Sequence, residues 1–208
     1  MTVSPTVFVI DDDPAARESV RALAEAHHVE SEGFASAEEF LARHDASRPG
    51  CAVIDLRLPE MHGLGLQEQL ASAGTSLPII IISAFADVQS TVRAMRGGAV
   101  TLLEKPCRDS ELWDNIQAAL ERDAAQRAAA LRTEDVRLRL ATLTEGERQV
   151  LDRLVAGGSN KLIALDLKVG LRTIENRRHK LMAKMGAGSL AELVRMVLLA
   201  EADESRTS

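Results

Sequence analysis

Cys51-Ala52-Val53-Ile54-Asp55-Leu56-Arg57-Leu58-Pro59-Glu60-Met61-His62-Gly63 runs four apolar or small residues into an aspartate, then into a loop punctuated by Pro and Gly. That is the pattern of a buried strand ending in a carboxylate. In an open parallel sheet the carboxyl ends of strands face the crevice where ligands bind, so Asp55 stands where chemistry is placed. Three more runs end the same way: Val7 to Ile10 at Asp11-Asp12-Asp13, Ile79 to Ile82 at Ser83, and Val100 to Leu103 at Glu104-Lys105-Pro106. Side by side, they bring an acidic pair, a lone Asp, a hydroxyl and a lysine to one edge. Two carboxylates ~4 Å apart repel by ~4 kcal/mol at an effective dielectric near ~20, so three together call for a cation. A hard, oxygen-preferring ion such as Mg2+ meets that need and favours sites shared with phosphate.

Helix-period segments separate the strands: Pro14 to His27, Ser36 to Arg43, Gly63 to Ala73, Asp87 to Arg96, and a last one from Asp109. Alternation with short loops predicts a doubly wound α/β fold of the flavodoxin type, with a five-stranded parallel sheet. Asp13 before Pro14 reads as a helix cap, and Ser36 with Glu39 has capping-box spacing. Gly33, between strand 2 and the next helix, reads as turn chemistry.

Residues 5 to 125 resemble the receiver domain of two-component response regulators, on the strength of Asp11, Asp12, Asp55, Ser83 and Lys105 at four strand ends. The resemblance implies that Asp55 is the phosphoacceptor and that Asp11, Asp12, Asp55 and the Arg57 carbonyl hold Mg2+. It further implies that Ser83 and Lys105 bind the phosphoryl group and that Lys105-Pro106 is cis. Leu102 departs from the family, which often has an aromatic there that swings inward on phosphorylation. Arg57 and Phe85, each two residues past a site residue, are placed to shield the phosphoryl group from water.

Composition agrees with an ordinary globular chain: 208 residues, 46% hydrophobic and 27% charged. Two cysteines, Cys51 and Cys107, give no disulfide framework, and no apolar run approaches a membrane span, so a cytoplasmic protein is expected. Charge is split unevenly. Residues 1–120 carry 9 Lys and Arg against 18 Asp and Glu, a net of −9, whereas residues 141–200 carry 10 against 6, a net of +4. Only the second half is suited to a polyanion. Between them Glu111 to Leu140 has neither Pro nor Gly and reads as one long helix, or two nearly continuous ones, serving as a spacer or a dimer contact.

The second half opens on Thr144 and Glu147, a second capping box. A short amphipathic helix from Asn160, a tight turn at Val169-Gly170-Leu171 and a basic helix from Arg172 to Met185 describe a helix-turn-helix, followed by a last apolar helix from Ser189 to Ala200. Residues 140 to 200 resemble the four-helix DNA-binding domain of the LuxR/FixJ/NarL type, through Leu143-Thr144, Glu147-Arg148, Val150-Leu151, Gly157, Asn160-Lys161, Ile163-Ala164, Arg172-Thr173-Ile174-Glu175 and Lys184-Met185. Gly146 stands where an arginine is usual, and Gly170 where a serine commonly caps the recognition helix. Lys161, Arg172 and Thr173 suit phosphate contacts; Glu175, Asn176 and His179 share a face where the family reads bases. Arg177, Arg178, Lys180 and Lys184 could meet backbone or base. The second half has no Phe, Tyr or Trp for stacking, which favours duplex DNA over single strands.

The expected organisation is a receiver at 1–121, a helical linker at 122–140, a DNA-binding domain at 141–202 and a flexible tail at 203–208. By resemblance to FixJ-type regulators, the chain is expected to be no enzyme but a transcription regulator, an activator rather than a repressor. It takes a phosphoryl group from a histidine kinase, forms a homodimer on phosphorylation, binds an inverted repeat in promoter DNA and works with RNA polymerase. The rival readings are a constitutive DNA binder with a structural receiver, and a Mg-dependent aspartyl phosphatase using Asp11-x-Asp13.

Overall fold

The computed structural model describes residues 4–207, with side chains up to residue 201. The chain forms two compact units, Met1–Arg127 and Ala128–Ser208. The first alternates strands β1 (Thr6–Ile10), β2 (Glu30–Phe34), β3 (Gly50–Asp55), β4 (Ile79–Ser83) and β5 (Thr101–Glu104) with helices α1 (Pro14–Ala26), α2 (Ala37–Arg43), α3 (Gly63–Ser72) and α4 (Val88–Arg96). Helix α5 (Asp109–Ala141) runs 33 residues and contains the boundary between the units, which falls inside the stretch expected as a linker.

The sheet order is β2-β1-β3-β4-β5 and all four pairings are parallel. Strands buried on both faces need apolar side chains in both directions, which is why β1, β3 and β4 are continuous hydrophobic runs. Alternation sorts them: Phe8, Ile10, Ala52, Ile54, Ile79 and Ile81 pack with Phe40, Leu66 and Ala94 in one core. Val7, Val9, Val53, Ile80 and Ile82 pack on the other side with Val20, Ile116 and Ala119. Chain order reverses beside β1, so the crevice opens above the ends of β1 and β3.

Gly33 lies within β2, opposite Val9, and not in a turn. A Cβ there would come within 3.1 Å of the Arg17 and Arg21 side chains, so the missing side chain lets the arginine stems of α1 lie on this edge strand. Ser36 caps α2, but Glu39 reaches back to the N–H of Ala35 rather than of the cap residue.

The second unit packs the end of α5 with α6 (Glu145–Val155), α7 (Asn160–Asp166), α8 (Leu171–Met185) and α9 (Leu190–Thr207). Its core gathers Val136, Val150, Leu154, Ile163, Ile174, Leu181, Leu193 and Val197. Thr144 and Glu147 form the complete reciprocal capping box at α6. Helix α9 continues to Thr207, across most of the stretch expected as a tail; Ser208 lies outside the described residues.

Candidate functional site

Strand ends place one side chain each on a common rim. Asp11 follows β1, Asp55 closes β3, Ser83 closes β4 and Lys105 follows β5. Parallel register fixes their level, with Asp55 opposite Ile82 and Ser83 opposite Glu104. Behind Asp55 the chain turns sharply: a Cβ at Gly63 would stand 2.4 Å from the Asp55 carbonyl oxygen, so only glycine lets α3 begin there.

Asp11, Asp55 and Ser83 are buried, while Asp12 is exposed. Carboxylate oxygens of Asp11, Asp12 and Asp55 lie within 4.8 Å of one another. Lys105 Nζ donates to Asp11 Oδ2 at 2.7 Å and lies 3.3 Å from Asp55 Oδ1. One ammonium therefore pairs with two of three clustered carboxylates, and the donor set is all oxygen, which fits a hard divalent cation. Burial pushes the Asp55 carboxyl above the ordinary range; Lys105 opposes the rise and Asp11 adds to it. Burial works against the Lys105 ammonium, yet Asp11 and Asp55 outweigh it and raise its pKa. The Lys105-Pro106 bond is cis, as the resemblance implied.

The Ser83 hydroxyl donates to the Phe85 carbonyl at 2.9 Å and accepts from the Phe85 N–H at 3.1 Å, so it is engaged with its own loop. The Arg57 guanidinium stacks 4.7 Å from the Phe85 ring centre, joining the loops after β3 and β4. Asp13 caps α1 by accepting from the Ala15 N–H, and both oxygens of Asp11 are occupied, by the Asp13 N–H and by Lys105.

On the second unit, Lys161 of α7 and Arg172, Thr173, Glu175, Asn176, His179 and Lys180 of α8 are exposed, so the expected reading face is open. Two further basic residues are bonded within the unit, and a third packs on α6. Arg178 donates to Asn160 Oδ1 at 3.0 Å, Arg177 lies against Gly146 of α6, and Lys184 donates to Glu147 at 2.7 Å and to the Thr142 carbonyl at 2.9 Å. The Lys184 ammonium, with the Thr144 N–H, drops the Glu147 carboxyl to about 2.

A second cluster escaped the reading of the sequence. Asp123 of α5 is buried and accepts from the Gly50 N–H at the start of β3. Arg127 pairs with it and donates to the carbonyls of Ala46, Ser47 and Arg48. The i, i+4 spacing was the only signal, and it is indistinguishable from an ordinary surface pair.

Sheet order, rim chemistry and the open basic helix define a receiver joined to a helix-turn-helix. The response regulator receiver domain family matches residues 7–117, and the family of bacterial regulatory proteins of the luxR type matches residues 141–197. The chain belongs to the response regulators of the FixJ type, which regulate transcription. It is 42% identical to the transcriptional regulatory protein FixJ of Rhizobium meliloti over 198 residues, covering 93% of this chain and 95% of that protein. It is 37% identical to the response regulator protein TodT of Pseudomonas putida, covering 91% and 84% respectively. Among solved structures, the response regulator StyR superposes with a TM-score of 0.83 at 39% identity, covering 94% of this chain and 98% of that one. Among the described residues no helix is long and apolar enough to cross a membrane.

Proposed function

We propose that Asp55 receives a phosphoryl group from the phosphohistidine of a partner kinase. An Asp55 oxygen attacks phosphorus in line, the P–N bond breaks as the P–O bond forms, and the departing imidazole takes up a proton. Bound Mg2+ would offset charge on the phosphoryl oxygens, held by Asp11, Asp12, Asp55 and the Arg57 carbonyl. Lys105 pairs with the new phosphoryl group, and the Ser83 hydroxyl leaves Phe85 to donate to it. Arg57 and Phe85 cover the group and slow its hydrolysis.

Phosphorylation then favours a homodimer whose two α8 helices read half-sites of an inverted repeat about one helical turn apart. Lys161, Arg172 and Thr173 grip phosphates, while Glu175, Asn176 and His179 meet base edges. The chain acts in the cytoplasm as an activator that works with RNA polymerase, and not as an enzyme. The observation that carries this reading is the Lys105 ammonium between Asp11 and Asp55, a cation poised to follow new negative charge on the acceptor. Acetyl phosphate with Mg2+ should add one phosphoryl group by intact mass to wild type and none to Asp55→Asn, and only treated wild type should sediment as a dimer. Labelling of Asp55→Asn to the wild-type extent would sink the proposal.

A further inference from the structure

Helix α8 carries two adjacent arginines, one at each border of its buried stripe. At roughly 100° per residue, Arg177 and Arg178 stand about 130° to either side of the exposed stripe formed by Arg172, Asn176 and His179, at the two borders of the buried stripe of Ile174 and Leu181. Arg178 is tied to Asn160 at the start of α7. Arg177 is half-buried and, among the described residues, has no hydrogen bond or ion pair. Its guanidinium instead lies across the first turn of α6. A Cβ at Gly146 would stand 2.8 Å from Arg177 Cζ, 3.0 Å from Nε and 3.1 Å from Nη1.

At those distances a Cβ at 146 and the guanidinium cannot both stay where they are. The atoms crowded are the far end of a flexible side chain, so a residue with a Cβ would displace the guanidinium rather than the helix. Glycine in the first turn of α6 thus fixes where Arg177 points. A helix seated in the major groove turns its exposed stripe to the bases and its flanks to the two sugar-phosphate walls. Arg177 brings five N–H donors to one such flank with no partner of its own.

We propose that Arg177 is a phosphate contact and that Gly146 is its positioning residue, the missing side chain of α6 forming the seat from which the guanidinium meets the DNA backbone. The inference rests on α8 binding duplex DNA as read above. It assigns Arg177 a sequence-independent role and removes it from base reading.

The test uses the full chain treated with acetyl phosphate and a fluorescein-labelled 30-base-pair duplex of mixed sequence, titrated at several salt concentrations. Each unit of the phosphorylated dimer loses one phosphate contact, so the slope of log K against log salt falls by ~1.8, which at ~0.1 M salt weakens binding roughly sixtyfold. Arg177→Ala and Gly146→Ala should each show that loss in slope, and the double variant should show it once, because both remove the same contact. Gly146→Ala should melt no lower than wild type, alanine being the better helix former. A glycine needed only for folding would lower the melting temperature and leave the slope alone. Arg172→Ala separates the two levels of the argument. If it weakens binding while Gly146→Ala and Arg177→Ala match wild type, or if their losses add in the double variant, the seat is wrong. If wild type itself does not bind the duplex, the DNA-binding reading fails and the seat with it.

Discussion

Lys105 and Asp55 share one contact, yet their removal should shift stability in opposite directions. A carboxyl whose folded pKa stands above its unfolded one opposes folding at neutral pH, and burial with Asp11 puts Asp55 in that position. Asp55→Asn should therefore raise the urea midpoint of the receiver in metal-free buffer. Lys105→Met leaves Asp11 and Asp55 facing each other without their cation. Losing one partner of a buried pair costs ~3–5 kcal/mol, and since the Lys105 side chain is 27% exposed the loss here should be nearer 2 kcal/mol. Midpoints moving the same way would refute the charge argument. Glu147 allows a second test at this scale. Its folded pKa is about 2 against an ordinary 4.5, so it is a depressed carboxylate. The stability it contributes is complete above pH 4.5 and disappears as the pH falls towards 2. Thermal melts of the second unit should fall through that window, and Glu147→Gln should begin lower at pH 7 and lose less on acidification.

Among elements, α5 depends most on contacts far apart in sequence. Its buried Asp123 accepts from Gly50 at the opposite end of β3 from Asp55, and Arg127 caps three carbonyls of the preceding loop. Asp123→Ala would leave a buried N–H without an acceptor and Arg127 without its carboxylate, a loss of about 3 kcal/mol. Hydrogen exchange should then quicken at residues 46–50 with β4 unaffected; uniform quickening would mean that the pair merely adds global stability. The visibility of such features in sequence follows from their range. β1, β3 and β4 were legible because burial on both faces demands unbroken apolar runs, and Asp55, Ser83 and Lys105 because parallel register levels the ends of those runs. β2 was partly hidden: Glu30-Ser31-Glu32-Gly33-Phe34 is an edge strand whose exposed side carries polar residues, so Gly33 passed for a turn. Nor could spacing divide the basic residues of α8. Whether Lys184 or Arg177 faces solvent or α6 depends on Glu147 and Gly146, some thirty residues away.

For the molecule as a whole, charge sets a constraint that phosphorylation makes stricter. Residues 1–120 carry a net −9 and residues 141–200 a net +4, so the receiver's field opposes the approach of DNA to the second unit. A phosphoryl group on Asp55 adds negative charge to the side that already repels. Any gain in affinity on activation must therefore come from somewhere other than the field of one chain, and a second chain is the available source. Two DNA-binding units on one duplex would neutralise twice the phosphates, and counterion release turns that number into a slope. The fragment 128–208, which has its own core, sets the single-unit value. Phosphorylated full-length protein should show close to twice the fragment's slope of log K against log salt. The unphosphorylated chain should show the single-unit slope, with an affinity below the fragment's at ~0.05 M salt and approaching it as the Debye length shrinks. If phosphorylation raised affinity with no change in slope, the gain would lie in freeing one unit rather than in recruiting a second, and the dimer would not be the species that binds.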